Sequence, residues 1–300
     1  MNTQTQQPQG SGLPFAVGAY LIWGFFPIYF KLLHHVAPLE MLSYRILWSV
    51  PVVFIILCFR DQWGEFKAAI TSPKAVRTMA LSSLLISINW LVYVWAIFEN
   101  YVLATAIGYY LNPLVNVLLG RIFLGERLTR MQGAAVAVAG CAVVILLTRA
   151  LDTAWISLVL AFSFGGYGLV RKMAPTGSVP GLAVELCLMG PIAAGFVFWF
   201  RATNPVPLAW QMEGLLALAG VLTVIPLLLF ATAARRMSYT TLGFVQYLAP
   251  TIVFLLGIFA YHEPLDTTRL FCFTLIWSAI ALFSWDAVRR MRGSVATSAP

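Results

Sequence analysis

Two charged residues interrupt long apolar stretches of the chain and are the first candidates for chemistry. Arg45 lies inside the apolar run 41–59, and Glu185 lies inside the run 180–200. An arginine near the centre of a membrane costs roughly 2.5–3.5 kcal/mol on insertion scales, so such a residue is functional by default. Arg45 lies about six residues into the second predicted helix, 39–59, which is roughly 9 Å from the outer face of the membrane. Its alternative role is to extend its charge to the membrane interface.

Arg45 and Glu185 are also related to each other by an offset of 140 residues. We expect them at similar depths from opposite faces of the membrane and therefore not in contact. Each is predicted to lie at one mouth of a central cavity, where it assists a gate or a polar substrate. Glu185 is in addition the candidate for proton coupling, and an interfacial carboxylate is its alternative reading.

Amide, hydroxyl and indole groups in the middle of apolar runs form a second set of candidates. Such groups are costly against lipid, so we expect them to face protein or a water-filled cavity. A lining of this kind suits amphipathic organic molecules better than inorganic ions, which need rings of charge or carbonyls. For each Trp, a place in the interface belt or in packing is the alternative. With Arg45, the predicted cavity residues are Trp23, Asn89, Trp90, Tyr93, Trp95, Tyr109, Tyr110, Asn112, Asn116, Tyr167, Gln246 and Tyr247.

The elements that position these residues follow from composition. Apolar residues make up 60% of the chain and charged residues only 10%, against about 25% charged in soluble proteins. Apolar runs of about 20 residues predict transmembrane helices. The fold class is therefore an all-α membrane protein in a lipid bilayer, with ten transmembrane helices. They are predicted at 14–33, 39–59, 76–98, 102–122, 130–148, 153–170, 180–200, 211–233, 240–261 and 267–287.

The net charge of +8 predicts membrane topology and no nucleic-acid partner, because the cations are scattered over many loops. One group of Lys and Arg falls on the side of both termini, and a much smaller group falls on the other side. Under the positive-inside rule, both termini are predicted to be cytoplasmic. The first group is Arg60, Lys67, Lys74, Arg77, Arg121, Arg127, Arg130, Arg171, Lys172, Arg235, Arg236, Arg289, Arg290 and Arg292, and the second is Lys31, Arg149, Arg201 and Arg269.

Enzymatic motifs are missing from the sequence. There is no HExxH, GxSxG or P-loop pattern, and the 4 cysteines form neither a CxxC pair nor a cluster with histidine. The three histidines fall in predicted loops. We therefore predict a protein that is not an enzyme and that holds no cofactor and no metal.

An internal repeat organises the whole chain. The stretch 110–128 recurs at an offset of 137 as the stretch 247–265, and such repeats define architecture. We predict a disordered cytoplasmic tail (1–13), a first repeat (14–150), a second repeat (151–288) and a cytoplasmic tail (289–300). Identical pairs include Tyr110 and Tyr247, Leu111 and Leu248, Pro113 and Pro250, Gly120 and Gly257, Glu126 and Glu263, and Leu128 and Leu265.

Each repeat holds five predicted helices, and because five is odd the second repeat enters the membrane from the opposite side. Two inverted repeats around a midplane site are the architecture of many secondary transporters. The sequence thus predicts a transporter for a small organic molecule that works by alternating access. A passive channel or facilitator, or a membrane interaction protein without transport, are the alternatives.

Several repeated residues suggest structural roles. Pro113 and Pro250 lie within helices, where proline favours a kink, and are candidate hinge or packing residues. Gly120 and Gly257 allow close helix packing, and the Glu of each copy is placed to cap the next helix. The small-residue run 133–140 predicts tight packing against an internal helix or a second subunit, so a homodimer is possible.

The motif Pro-x6-Gly-x5-Glu-x-Leu, present twice, resembles the EamA family of the drug/metabolite transporter superfamily. The strings at 19–31, 108–116, 168–172 and 246–250 are similar to its RarD branch. The resemblance implies a bacterial inner-membrane permease whose cavity is lined mainly by the first, third, fourth, sixth, eighth and ninth helices. RarD proteins carry the label chloramphenicol-sensitive, and relatives export amino acids and other metabolites. Ala249 replaces the residue equivalent to Asn112, so the site is expected to be asymmetric.

Overall fold

The computed structural model describes residues 12–33, 36–99, 101–148, 151–204, 210–260 and 267–297. The described chain is helical and contains no strand, which confirms the predicted fold class. The helices are α1 (Leu13–Gly24), α2 (Phe26–Leu32), α3 (Pro38–Phe59), α4 (Trp63–Thr71), α5 (Pro73–Phe98), α6 (Val102–Leu124), α7 (Arg130–Leu147), α8 (Ala154–Met173), α9 (Ser178–Thr203), α10 (Trp210–Arg236), α11 (Tyr239–Gln246), α12 (Leu248–Phe259) and α13 (Thr267–Thr297), with a 3₁₀ turn at Leu151–Thr153.

Within the described residues, 10 segments are long and apolar enough to cross a membrane. We number them spans 1 to 10. Span 1 is α1 with α2, spans 2 to 5 are α3, α5, α6 and α7, span 6 is α8 with its 3₁₀ turn, spans 7 and 8 are α9 and α10, span 9 is α11 with α12, and span 10 is the 270–287 part of α13. The predicted tail 1–13 lies outside the described residues except for its last two positions. The last helix continues past residue 288 to Thr297.

Two spans are interrupted, and each interruption precedes a proline. Span 1 breaks at Phe25, before Pro27, and span 9 breaks at Tyr247, before Pro250. Proline has no N–H to bond the carbonyl four residues earlier, so the helix loses a hydrogen bond just there. Pro113, in contrast, lies inside the continuous helix α6. The two repeats therefore respond differently to the same proline.

The helix α4 is an element that the predicted spans do not contain. It is too short to cross a membrane and lies between spans 2 and 3. Phe66 and Ala69 are buried on one face, and the Phe66 ring meets the Phe54 ring edge-on at 5.5 Å between centroids. α4 also packs against α9. It is a short surface helix that seals the end of spans 2 and 7.

Much of the helix packing is preserved when each span is exchanged with the span five places away. Span 4 packs on span 6 as span 9 packs on span 1, span 3 on 6 as span 8 on 1, and span 2 on 8 as span 7 on 3. Spans 2 and 7, spans 4 and 9, and spans 5 and 10 pack on each other, and the exchange leaves each of these contacts unchanged. Equivalent spans therefore share most of their neighbours, although the contact between spans 6 and 8 has no comparable counterpart between spans 1 and 3 in the described residues.

The small-residue run of α7 has an internal partner. Ala135, Ala139 and Ala142 are fully buried in the cluster that joins α7 to α13. A Cβ added at Gly133 or Gly140 would meet no atom within 4 Å. The alanines of this run, and not its glycines, make the close helix contact.

The crossing of α3 and α10 depends on Gly220. A Cβ at this position would collide with the backbone carbonyl of Trp48. The carbonyl of Gly220 also accepts a hydrogen bond from the hydroxyl of Ser49 at 3.4 Å. Two backbones meet here directly, which is the use that small residues have in membrane helix pairs.

We expect Gly220→Ala to lower the melting temperature of the purified protein, because the added methyl group must push α3 and α10 apart. The cost of such overpacking is about 1–3 kcal/mol. Gly214→Ala on the same helix is the matched control, because its Cβ would meet nothing within 4 Å. Equal melting temperatures for the two variants would contradict the close approach of α3 and α10.

Candidate functional site

A cavity of about 220 Å³ lies among spans 1, 2, 3, 4, 6, 8 and 9. Its wall is largely aromatic, with a few amide and hydroxyl groups and the guanidinium of Arg45. Such a wall is typical of small-molecule sites, which are mostly apolar with few placed polar groups. The lining residues are Tyr20, Trp23, Phe26, Pro27, Phe30, Arg45, Ile86, Asn89, Trp90, Tyr93, Ala106, Tyr109, Tyr110, Phe164, Thr223, Leu227, Gln246, Ala249, Pro250 and Val253.

The cavity is displaced toward the end of the bundle that lies opposite the chain termini. Successive spans cross in alternate directions, so α5 ends and α6 begins at that opposite end. The cavity is lined by Ile86–Tyr93 of α5 and by Ala106–Tyr110 of α6, and these stretches lie next to the connection between the two helices. The half of the bundle near the termini is filled by other side chains.

Arg45 projects from α3 into the cavity. Its Nε donates to the hydroxyl of Thr223 on α10 at 3.1 Å. The guanidinium carbon lies 5.1 Å from the ring centroid of Trp90, and 5.9 Å and 5.8 Å from those of Phe26 and Phe30. Cations at these distances are attracted by the negative ring faces. Three elements therefore fix the guanidinium in place, and it points inward and not toward the membrane surface.

No carboxylate neutralises Arg45 within the described chain. The ion pairs in the described chain are Arg171 with Glu185 and Arg201 with Glu40. Among the described residues, neither Asp nor Glu lines the cavity. The terminal nitrogens of Arg45 have no hydrogen-bond partner among the described residues. The cavity thus carries one uncompensated positive charge.

The helix that carries Arg45 is anchored at its start. Pro38 occupies the first turn of α3, a position where proline costs no helix hydrogen bond. Glu40 in the same turn pairs with Arg201 at the end of α9, at 2.7 Å. A carboxylate in the first turn also favours the positive end of the helix dipole. Spans 2 and 7 are therefore held together just outside the level of Arg45.

The amides of the wall connect spans across the cavity. Asn89 on α5 donates to the carbonyl of Leu160 at 2.9 Å and to Ser163 Oγ at 3.1 Å, both on α8. Gln246 Oε1 accepts from Asn116 Nδ2 at 2.9 Å. These bonds use up the donors of Asn89 and the carbonyl oxygen of Gln246, and they fix the orientation of both side chains.

The predicted cavity residues divide into two groups. Trp23, Arg45, Asn89, Trp90, Tyr93, Tyr109, Tyr110 and Gln246 line the cavity. Asn112, Asn116, Tyr167 and Tyr247 are buried outside the lining, and Trp95 also lies outside it, with 41% of its surface exposed. Of the candidate hinge and packing residues, Pro250 lines the cavity, whereas Pro113, Gly120 and Gly257 do not.

Residues that the sequence did not single out complete the wall. Phe26 and Phe30 follow Trp23 by three and seven residues and so share its helix face, a spacing from which they could be predicted. Thr223 is a hydroxyl inside the apolar run of α10, a weaker signal. Phe164 has no distinguishing feature in the sequence because it lies in a run of apolar residues.

A layer of aromatic side chains separates the cavity from the end of the bundle near the termini. Tyr20, Tyr167, Phe230 and Tyr239 are each at most 1% exposed. The rings of Tyr167 and Phe230 stack at 5.9 Å with an angle of 13° between their planes. Tyr239 donates from its hydroxyl to the carbonyl of Gly165. These buried side chains fill the space between spans 1, 6, 8 and 9 at this level.

Glu185 lies in this closed half of the bundle and does not line the cavity. Its Oε1 is 3.5 Å from Nη1 of Arg171, and both side chains are 2% exposed. Arg171 was assigned to a loop by the predicted end of the sixth span at residue 170, but it lies inside α8, which continues to Met173. The adjacent Lys172 and the polar segment that follows are typical of a loop in sequence.

Further polar contacts tie the same end together. Lys172 Nζ donates to the carbonyls of Ala234 and Met237, both at 2.7 Å. Arg235 Nη1 donates to the carbonyl of Ala174 at 3.0 Å. These cations satisfy carbonyls at the ends of α8 and α10 that have no partner within their own helices. The closed end is thus held by charged hydrogen bonds to backbone.

Glu126 caps a helix of the other repeat and not the next helix in the chain. Its Oε2 accepts from the N–H of Thr240 at 2.8 Å, and its Oε1 accepts from the N–H of Tyr239. The next helix, α7, is capped by Thr129 and Gln132 instead. A Cβ at Gly120 would lie 2.9 Å from the Glu126 carboxylate. The glycine therefore makes room for the cap, which explains their spacing. Glu263 lies outside the described residues.

Ten membrane spans around a central, partly polar cavity define the class: a polytopic α-helical membrane protein of the transporter type. The chain belongs to the EamA-like transporter family, whose model matches residues 10–148 and again residues 153–285. The two matches cover spans 1 to 5 and spans 6 to 10.

Relatives of known name agree with this assignment. The chain is 41% identical to Uncharacterized transporter YojE of Bacillus subtilis over 94% of this chain and 96% of that protein. It is 39% identical to Protein RarD of Escherichia coli K12 over 96% and 97%. It is 28% identical to Chloramphenicol-sensitive protein RarD of Pseudomonas aeruginosa over 94% and 96%. A crystal structure with 17% identity covers 92% of this chain and 97% of that chain, with a TM-score of 0.71, so the fold is shared.

We expect Glu185→Leu to destabilise the protein by about 3–5 kcal/mol, because it leaves the buried Arg171 without its counter-charge. The double variant Arg171→Met with Glu185→Leu is expected to regain most of this loss, since it removes both charges. Melting temperatures of Glu185→Leu, Arg171→Met and the double variant, in one detergent, measure the coupling between the two side chains. Additive losses would show that the two side chains do not form a structural pair.

Proposed function

We propose that the protein carries a small organic molecule across the bacterial inner membrane by alternating access to the central cavity. The observation that supports this most strongly is the cavity itself. It lies inside the bundle, it has a mixed aromatic and polar wall, and packed side chains close it at one end. A site near the midplane that is open to one side at a time is what an alternating-access carrier requires.

The two halves supply the means of alternation. Each repeat contributes five spans, so the second is inverted relative to the first, with a pseudo-two-fold axis in the membrane plane. The exchange symmetry of the helix contacts supports this arrangement. In such proteins the two ends exchange open and closed states by movement of one repeat against the other. The interruptions at Phe25 and Tyr247, where helix hydrogen bonds are missing, are the proposed hinges.

Both termini are proposed to face the cytoplasm. The described Lys and Arg residues of the closed end, such as Arg171, Lys172 and Arg235, belong to the more positive side of the chain, and positive charge favours the cytoplasmic side. In this orientation the structure is closed toward the cytoplasm, and the cavity lies on the periplasmic side.

The substrate class is drawn from the size and wall of the cavity. A volume of about 220 Å³ is below the range of roughly 300–1,000 Å³ that is usual for drug-sized ligands, so a compact metabolite of about the size of an amino acid fits best. The name of the Pseudomonas aeruginosa relative mentions sensitivity to chloramphenicol, so chloramphenicol is a second candidate. A channel is less favoured because Tyr167 and Phe230 are buried and stacked between the spans, where a continuous pore would need open space.

The orientation is tested with a fluorescent protein that matures only in the cytoplasm, fused to the C-terminus. We expect fluorescent cells, because an even number of spans places both termini on the same, more positive side. Fusion of alkaline phosphatase at the same point is the reciprocal control and is expected to be inactive. Active phosphatase with dark cells would reverse the proposed orientation.

Transport itself is tested by counterflow in proteoliposomes that are preloaded with unlabelled amino acids, organic acids or chloramphenicol. A carrier takes up labelled compound against its own gradient and saturates, whereas a channel does neither. We expect saturable counterflow for at least one compound. Channel-like flux, or no flux for any compound, would contradict the proposed carrier mechanism.

The same assay tests the cavity. Arg45→Ala is expected to lower the initial rate of counterflow at least tenfold, because it removes the charge that faces the substrate. Arg77→Ala is the matched control, because Arg77 is exposed near the start of α5. Both variants should insert and purify like the parent protein. Parent-like counterflow in Arg45→Ala would show that this cavity is not the transport site.

A further inference from the structure

We propose that the cavity selects a monocarboxylate: a molecule with one negatively charged carboxylate, an apolar or aromatic body and no charged amine. This inference rests on the proposed function, since it names the substrate class of the same cavity. The geometry that carries it is the guanidinium of Arg45, which is held at one side of an aromatic chamber and has no counter-charge in the described wall.

The free hydrogen-bonding capacity of Arg45 defines the headgroup. Thr223 occupies Nε, and the two terminal nitrogens have no partner among the described residues. A guanidinium presents its N–H groups as a planar fork that matches the two oxygens of a carboxylate. Because Arg45 is positioned by Thr223 and by the ring of Trp90, the fork is oriented before the ligand arrives. Less entropy is then lost on binding.

The charge balance limits the ligand to one negative charge. Arg45 is the charged residue of the cavity wall, so a monoanion neutralises the site. A phosphate dianion would leave one charge without a partner in a mostly apolar chamber, which is strongly unfavourable. A single carboxylate is therefore the oxyanion that the wall fits best.

The wall also disfavours a charged amine. No Asp or Glu lines the cavity to pair with an ammonium group. Aromatic faces attract cations, but the faces of Phe26, Phe30 and Trp90 already surround the Arg45 guanidinium within 5.1–5.9 Å. A second cation there would be repelled by Arg45. A zwitterionic amino acid is thus expected to bind more weakly than the acid that lacks its amino group.

The body of the ligand is set by the remaining rings. Trp23 meets Phe164 edge-on at 5.7 Å between centroids, and Tyr93 meets Tyr109 in the same manner at 5.8 Å. These pairs contribute apolar ring surfaces and two hydroxyl groups to the cavity wall. A flat, apolar side group packs well against such surfaces. The proposed ligand therefore has a carboxylate at one end and a compact ring or branched chain at the other.

The test compares four probes of almost the same size: 3-phenylpropionate, its amide 3-phenylpropanamide, phenylalanine and phenethylamine. Their binding to the purified full-length protein is measured by thermal stabilisation, since a ligand of the folded state raises apparent stability. We expect the acid to stabilise most, phenylalanine less, and the amide and amine little or not at all. Dissociation constants for acid and amide are expected to differ by about tenfold or more, as for loss of a charged hydrogen bond.

Variants identify the group that reads the carboxylate. Arg45→Gln is expected to weaken 3-phenylpropionate by about tenfold or more and to abolish the preference over the amide. Arg45→Lys keeps the charge without the fork, so it should keep the preference for the acid with reduced affinity. Arg77→Gln, at the exposed position on α5, is the matched control and should bind like the parent. If Arg45→Gln does not fold, the comparison of probes with Arg45→Lys still decides.

The outcomes separate this inference from the proposed function. Equal stabilisation by acid and amide, or an unchanged affinity in Arg45→Gln, would overturn the carboxylate preference. If only a neutral or zwitterionic compound binds and shows counterflow, the inference is wrong and the proposed function stands. If no probe binds and no compound shows counterflow, both are wrong.

Discussion

An arginine without a counter-charge, inside the membrane-spanning part of the chain, is the constraint on which the rest of the site depends. Buried charges are normally paired, and in the described residues Arg171 and Arg201 follow this rule with Glu185 and Glu40. Arg45 is held by a hydroxyl and by ring faces instead. Such an arrangement is tolerated where a side chain lines a hydrated cavity. The cavity and the charge therefore require each other.

The two ends of the bundle differ in how their side chains pack. At the end near the termini, cations bond the carbonyls of helix ends, Glu126 caps α11, and stacked rings fill the space between spans. Every one of these contacts crosses between spans, so the end is closed by many modest interactions. At the other end, spans 2 and 7 meet through Glu40 and Arg201, and the cavity lies toward this end. A carrier must be able to exchange these two situations, and separate modest contacts are easier to exchange than one continuous apolar core.

Most of the fold could be predicted from the sequence. Long apolar runs predict the membrane spans, and identical residues at one offset reveal the repeat. Arg45 and most of the aromatic wall could be predicted for the same reason: a polar group is conspicuous among apolar neighbours. What the sequence could not show depends on contacts between distant residues. Glu126 caps a helix in the other repeat, since only folding brings α11 to it. The apolar pattern predicts that the sixth span ends before Arg171. It cannot show that Glu185, on the next helix, pairs with Arg171 inside the bundle. Helix α4 is short and polar enough to resemble a loop.

The structure of the protein in complex with 3-phenylpropionate tests the central claim most directly. We expect density for the ligand inside the cavity, with its carboxylate within about 3 Å of the terminal nitrogens of Arg45. Its ring is expected to contact the Trp23–Phe164 and Tyr93–Tyr109 pairs. Density that places the carboxylate away from Arg45, or an occupied site elsewhere with the cavity containing only solvent, would contradict it.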